Sequence, residues 1–313
     1  MAVIVGESAA WKQVLVLAAR AGIVVQQPSD VGIQAARARK FLYEQEGVAR
    51  DDLARQEAAL AETLARERAA CDKDVAAIRA RFEQERADAP SRHGPRDRLA
   101  ELARQGRERT QVRARSRAVL PAEHALAAFL SGREAEVARR VAAARNQCQQ
   151  VESIAHSRAL ANAVAERAVI RALSALSDEF VLMNDLHLAY AHDVELEGSS
   201  FRTAQLDHLL VGPTGVYAIE TRNWGTSAAA DQDDDPIAEV ARGAALCSHI
   251  LRDAGCPQIV RCIVACEGAP PTRSGGAHVA VVPTPRLLAY VQYGPAILSL
   301  QDVALVCHAL ALT

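Results

Sequence analysis

Aromatic residues are scarce, at 4% of 313 residues, although half of the chain is apolar. Alanine supplies much of that apolar half, which suits long helices better than a β-rich core throughout. Lysine is nearly missing as well. Of 36 basic residues only Lys12, Lys40 and Lys73 are lysines, and none follows Lys73. The formal net charge of −2 gives no overall electrostatic case for binding nucleic acid, so any such case must be local. Long apolar runs are missing too: Val14 to Val25 is interrupted by Arg20 and is too short to span a bilayer. Ala2 to Val5 is followed at once by Glu7, which does not make a signal peptide. The seven cysteines are odd in number and irregularly spaced, as expected of reduced thiols. Cys262 and Cys266 share one face of an expected strand and read as small core residues. The expectation is a soluble, cytoplasmic protein with no membrane partner.

Three segments are expected. Residues 1–33 read as a small unit. Ser8 caps a helix that Gly22 ends, Ile23 to Val25 form a short strand, and a turn follows at 28–30. Residues 34–157 read as a helical arm. In its first helix Leu53, Leu60, Leu64, Cys71, Val75, Ile78 and Phe82 are spaced by 7, 4, 7, 4, 3 and 4 residues, which is heptad-like. Pro90, Gly94 and Pro95 break that helix. A second helical stretch follows with Leu99, Leu102 and Val112; Pro121 kinks or restarts it, and Leu126, Leu130, Val137, Val141, Cys148 and Val151 resume the spacing. Two long helices joined by a short loop predict an antiparallel coiled-coil hairpin, within one chain or between chains. At about 50 residues per helix it would be roughly 75 Å long. That length predicts a homo-oligomer or an arm that reaches substrate.

The second helical stretch starts very basic, from Arg92 through Arg104, Arg107 and Arg113 to Arg117, with only Asp97, Glu101 and Glu108 as local acids. Two readings are open. One is a phosphate-binding tip, with Arg104, Arg107 and Arg113 as contacts to nucleic acid. The other is a solvated face whose partner is the acidic first helix, through Glu57, Glu62, Glu67, Asp72 and Asp74. No aromatics interleave, so base stacking is unsupported.

Residues 158–313 carry the chemistry. An amphipathic helix from Leu160 to Leu176 is followed by a strand from Phe180 to Leu188 and a polar loop from His192 to Ser200. Two apolar runs, Leu206–Val211 and Val216–Ile219, flank the turn Gly212-Pro213-Thr214-Gly215. Each run meets an acid, Asp207 in one and Glu220 after the other. Alternation puts Gln205 with Asp207 and Glu220 with Arg222, so that all four converge if the hairpin pairs in register, whereas His208 faces the other way and packs. Two carboxylates at sheet level make an oxygen site for a hard divalent cation. Spacing alone also allows a pair of edge charges with Arg222 as their ion-pair partner. Beyond Gly225 lie an acidic loop, Asp231 to Asp235, a helix starting at Pro236, strands at 259–265 and 279–282, and a closing helix at 300–312.

The order acid, turn, acid, any residue, basic residue is the layout of the PD-(D/E)XK nuclease superfamily. The finer text, Gln205-Leu206-Asp207-His208 and Gly215-Val216-Tyr217-Ala218-Ile219-Glu220-Thr221-Arg222-Asn223-Trp224-Gly225, resembles the nuclease-related domain (NERD) family. The resemblance runs from about Leu160 to the C-terminus. It implies an α/β fold with a restriction-endonuclease-like αβββαβ core, preceded here by the helical hairpin. It also implies a metal-dependent nuclease acting on nucleic acid, DNA in the first instance. Asp207, Glu220 and the Thr221 carbonyl would hold Mg²⁺ or Mn²⁺, and Glu166 on the first helix would position the attacking water or complete a second metal site. Gln205 would orient the nucleophile or the phosphate, and Arg222 would offset phosphate charge. The family pattern has lysine where this chain has Arg222, and an arginine cannot act as a base. The rival expectation is therefore a catalytically inactive nuclease-like domain serving as a binding or scaffold module.

Overall fold

The computed structural model describes residues 1–88, 94–224, 235–268 and 278–311. It divides into two units, one of residues 1–36 with 149–313 and one of residues 37–148. Among the described residues no helix is long and apolar enough to cross a membrane.

The first unit is built on a six-stranded sheet in the order β1 to β6. β1 (Val3–Val5) lies parallel to β2 (Val181–Leu196), and β2, β3 (Ser199–Gly212) and β4 (Gly215–Asn223) form an antiparallel meander. β5 (Val260–Glu267) and β6 (Val279–Pro283) follow in parallel to β4. Helices cover both faces, which is why the central strands read as continuous apolar runs at their turn-proximal ends. On one face α5 (Arg158–Leu173) and α7 (Thr284–Gln292) pack Val169, Leu173, Leu287 and Val291 against Leu210, Tyr217, Ile219 and Ile263. On the other, α6 (Pro236–Asp253) and α8 (Leu300–Ala311) pack Val240, Leu246, Leu251 and Val306 against Leu206, Leu209, Val216 and Val264. Each fully buried Leu, Ile or Val contributes roughly 1.5–3 kcal/mol. Gly243 lets α6 approach closely, since a Cβ there would lie 2.3 Å from the Leu206 side chain.

Residues 1–33 contribute to this same unit. Ser8 accepts from the Trp11 N–H and starts α1 (Ala9–Arg20), as expected, and α1 packs on α5. The expected strand at Ile23–Val25 is not formed; the N-terminal strand is β1, which is only three residues long. The expected turn at 28–30 is instead the start of α2 (Pro28–Ala87). Pro28 opens the helix, where its missing N–H costs nothing, and Asp30 accepts from the N–H groups of Gln26 and Gln27. The expected polar loop at 192–200 is also corrected. β2 runs on to Leu196 and turns through Glu197 and Gly198, both at positive φ, straight into β3. Most of that strand end is exposed, so its apolar alternation is too weak to read. The helix α7 was not anticipated.

The second unit holds the rest of α2, all of α3 (Pro95–Arg117) and most of α4 (Leu120–Ala155). Its cross-helix ion pairs, Glu46–Arg145, Glu57–Arg133, Arg68–Glu123, Asp74–Arg115 and Arg86–Glu108, fall along the chain as their partners rise. α2 therefore runs antiparallel to α3 and α4 within one chain. Leu53, Leu64, Cys71 and Phe82 of the expected stripe are buried, as are Val137, Val141 and Cys148. Leu99, Leu102 and Leu130 are exposed instead, and α3 buries no residue at all.

Candidate functional site

The β3–β4 hairpin closes as its sequence requires. Gly212 faces Gly215 across Pro213-Thr214, and the register runs up to His208 opposite Ile219. Thr214 anchors the turn by donating to the Val291 carbonyl at 2.7 Å. One residue beyond this ladder stand Asp207 and Glu220. Asp207 Oδ2 accepts from the Thr221 N–H at 2.8 Å, and the Asp207 and Glu220 carboxyl groups are close enough to share a hydrogen bond. That bond requires a proton. Burial pushes Glu220 well above the usual carboxylate range, and the negative charge of Asp207 pushes it further. Burial also raises Asp207, against the opposing pull of the Thr221 N–H and the Arg222 charge.

Arg222 lies two residues on, on the same face as Glu220. Its Nη1 is 3.3 Å from Glu220 Oε1 and 3.5 Å from the Thr221 carbonyl, and its Nη2 pairs with Glu239 of α6. Glu166 comes from α5, which Ser157 caps. It is 3% exposed and its pKa is pushed up to about 7, by burial first and then by Asp207. The hydroxyl of Ser8, the cap of α1, and the Ala10 N–H in the first turn of that helix hydrogen-bond the Glu166 carboxyl, yet Glu166 Oε2 has no hydrogen-bond partner. Buried polar atoms are rarely left so, because the cost of desolvation is not recovered.

Glu166, Gln205, Asp207, Glu220 and Arg222 line one cavity of about 380 Å³, together with Glu239, Arg158 and residues of α1 that include Gln13. All five side chains expected to be catalytic thus meet in one place. Thr221, expected to offer its carbonyl, is committed through its N–H to Asp207, and its buried Oγ1 is unpartnered. Among the described residues no group of three or more His, Cys, Asp or Glu side chains is arranged to hold a metal ion. His208 is fully buried and clear of the cavity wall. Asn184 donates to the Gly6 carbonyl at 3.2 Å, so its Oδ1 is the acceptor for His208 Nδ1 at 2.7 Å. Burial pushes His208 down to about 3, so the ring is neutral.

In the second unit the three arginines expected to contact nucleic acid differ from one another. Arg104 donates to the Glu85 carbonyl at 3.0 Å and pairs with Glu101. Arg107 and Arg113 are exposed and make no ion pair among the described residues. Of the acids expected to face the basic stretch, Asp74 pairs with Arg115. Arg92 and the acidic positions 231–234 lie outside the described residues.

Three residues of the site were not anticipated. Glu239 sits in the first turn of α6, just before buried Val240, where an acid reads as ordinary helix chemistry. Ser8 reads as a cap and nothing more. Asp185 was legible, because it interrupts the apolar run Val181–Leu186 as Asp207 interrupts its own.

Comparison with curated proteins and with solved structures returned no match. Residues 161–266, from α5 through β5, match the family model of the nuclease-related domain (NERD), and this segment holds every residue expected from the sequence to be catalytic.

Proposed function

We propose that the first unit is a metal-dependent nuclease that hydrolyses phosphodiester bonds of nucleic acid, with DNA as the first substrate to test. The observation that carries this reading is the meeting of Asp207 and Glu220, close enough to share a proton, in a cavity that also holds Glu166, Gln205 and Arg222. The element order α5-β2-β3-β4-α6-β5 supports this reading, since an αβββαβ core is what it requires.

The donor set suits a hard divalent cation. A cation in place of the shared proton lets both acids be charged, and the unpartnered Glu166 Oε2 offers a further oxygen. Two carboxylates and a carbonyl, with Glu166 as a further oxygen, fit Mg²⁺ or Mn²⁺ that keeps several waters. Asp207, Glu220 and the Thr221 carbonyl would hold the ion, whose chemistry when bound is to polarise the scissile phosphate and acidify a water. Glu166, with its pKa near 7, is tuned to take a proton from the attacking water at neutral pH. Gln205 orients a group in the cavity. Arg222 offsets charge growing on the phosphate once it releases Glu239, and cannot serve as a base. The test is Mn²⁺-dependent cleavage of plasmid DNA and of RNA by the full chain beside Asp207→Ala. Cleavage by both proteins alike would sink the assignment.

The helical unit we read as a coiled-coil arm for oligomerisation or substrate contact. Arg107, Arg109, Arg113 and Arg117 on α3, exposed and without an ion pair among the described residues, favour substrate contact. Light scattering separates the two uses, since an oligomerisation arm makes the full chain a dimer or larger at high concentration. A second reading, an inactive scaffold, is favoured by one observation: the only basic side chain of the acid-x-basic motif is already bound by Glu220 and Glu239.

A further inference from the structure

Asp185 is the acid of the first unit whose burial has no counterpart in the roles assigned above. Its backbone is left-handed, at φ 54°, a conformation that a residue with a side chain rarely adopts. Its side chain is 7% exposed, and both oxygens are used. Oδ2 accepts from Lys12 Nζ of α1 at 2.6 Å. Oδ1 accepts from Gln205 Nε2 at 2.7 Å and lies 3.3 Å from His187 Nε2. Burial alone would raise the Asp185 carboxyl, but the hydrogen bonds from Lys12 and Gln205, with the Lys12 charge, hold it below its ordinary value. It is an ionised, acceptor-only group, and that settles which end of the Gln205 amide faces it.

We propose that Asp185 is a positioning residue that fixes the Gln205 amide so that Oε1, an acceptor, is the atom Gln205 brings to the cavity, and that Lys12 keeps Asp185 charged for this purpose. An acceptor holds the O–H of a water and repels a phosphate oxygen. Of the two roles open to Gln205, orienting the nucleophile or orienting the phosphate, this geometry selects the nucleophile. A phosphate-binding amide would turn its NH₂ group toward the cavity, whereas here Nε2 is held on the Asp185 side, and an Asn at position 185 would let the amide turn over. The consequence reaches outside the matched family segment. Lys12 belongs to α1, as do Ala10, which hydrogen-bonds Glu166, and Gln13, which lines the cavity, so residues 8–13 are a working part of the site. The strained backbone at Asp185 fits this role, since left-handed non-glycine residues persist where the surroundings over-determine them, often at functional sites.

This inference rests on the nuclease reading, and two independent measurements keep the two apart. The first reads position alone. In ¹H–¹⁵N spectra of the full chain, the Gln205 side-chain amide is assigned by its loss in Gln205→Ala. Asp185→Asn and Lys12→Met are expected to move it toward the free-amide region, and Lys12→Arg to leave it in place. An unchanged signal in Asp185→Asn overturns the proposal. The second reads role, as Mn²⁺-dependent cleavage of linear DNA. Asp185→Asn is expected to lower kcat at least tenfold with KM unchanged, and to add nothing to Gln205→Ala in the double variant. A rise in KM with kcat intact would mean that Gln205 binds phosphate and would overturn the assigned role. A moved signal with a parent that cleaves no nucleic acid supports the positioning and counts against the nuclease.

Discussion

The acids of the two units live under opposite conditions. In the helical unit Glu57, Asp74, Glu108 and Glu123 sit part-exposed or exposed, each with an arginine across the helix pair. Water screens such pairs, and each contributes about 0–1 kcal/mol. In the sheet unit Glu166 and Glu220 are nearly sealed from water, beside Asp207, with more negative neighbours than positive ones. A carboxylate cluster of that kind destabilises its own fold unless protons or cations neutralise it. The first arrangement is what a folded surface adopts on its own account. The second persists against a cost to stability, which is why function is sought there.

The sharpest way to break this comparison is Asp207→Ala. It is expected to lower cleavage on the order of 10²–10³-fold or more, the scale seen when one electrostatic group at a reacting centre is removed. The same change at Asp74 should leave cleavage intact. Next comes the cost of burial. Glu166 has a folded pKa of about 7 against 4.5 for the free group. Its folded form binds the proton more tightly, so this group favours the fold at pH below 4.5 and loses that advantage as pH rises through 7. Glu166→Gln should therefore stabilise the metal-free protein at pH 8 by up to about 3 kcal/mol in urea unfolding, with no gain at pH 4. His208 works in the other direction. Its pKa is depressed to about 3, so stability falls as pH drops from 6.5 toward 3, and the two effects oppose each other between pH 4.5 and 6.5.

Arg222 gives a smaller effect. Arg222→Ala should lower cleavage while the domain stays folded, and Arg222→Lys should preserve or raise it, because either cation offsets phosphate charge and only lysine can also give up a proton. Glu239→Gln releases Arg222 and should raise cleavage several-fold. Equal activity of Arg222→Ala and parent would remove the arginine from the mechanism. The smallest effect belongs to the helical unit: Asp74→Ala should cost less than about 1 kcal/mol in the unfolding midpoint, and a larger loss would contradict the view of those pairs as screened.

Much of this contrast was legible in the chain. Apolar runs broken by single acids located Asp207 and Glu220, and the glycine-bounded turn fixed their register. The stripe of Leu53, Leu64, Cys71 and Phe82 marked the face of α2 that is buried. What could not be read were contacts between elements distant in sequence. Glu239 meets Arg222 only because α6 crosses the sheet, and Lys12 meets Asp185 only because α1 packs beside α5. The far end of β2 was hidden for a different reason: with both faces largely solvated, His192 to Leu196 lack the alternation that marks a strand.

The central claim is that the proton shared by Asp207 and Glu220 stands where a cation belongs. Calorimetric titration of Mn²⁺ into the full chain at pH 7, in buffers of different ionisation enthalpy, tests it directly. The account predicts binding with release of about one proton, because metal ligands must be deprotonated, and loss of that release in Glu220→Gln. Binding without a buffer-dependent heat, or binding that Glu220→Gln leaves unchanged, would contradict it.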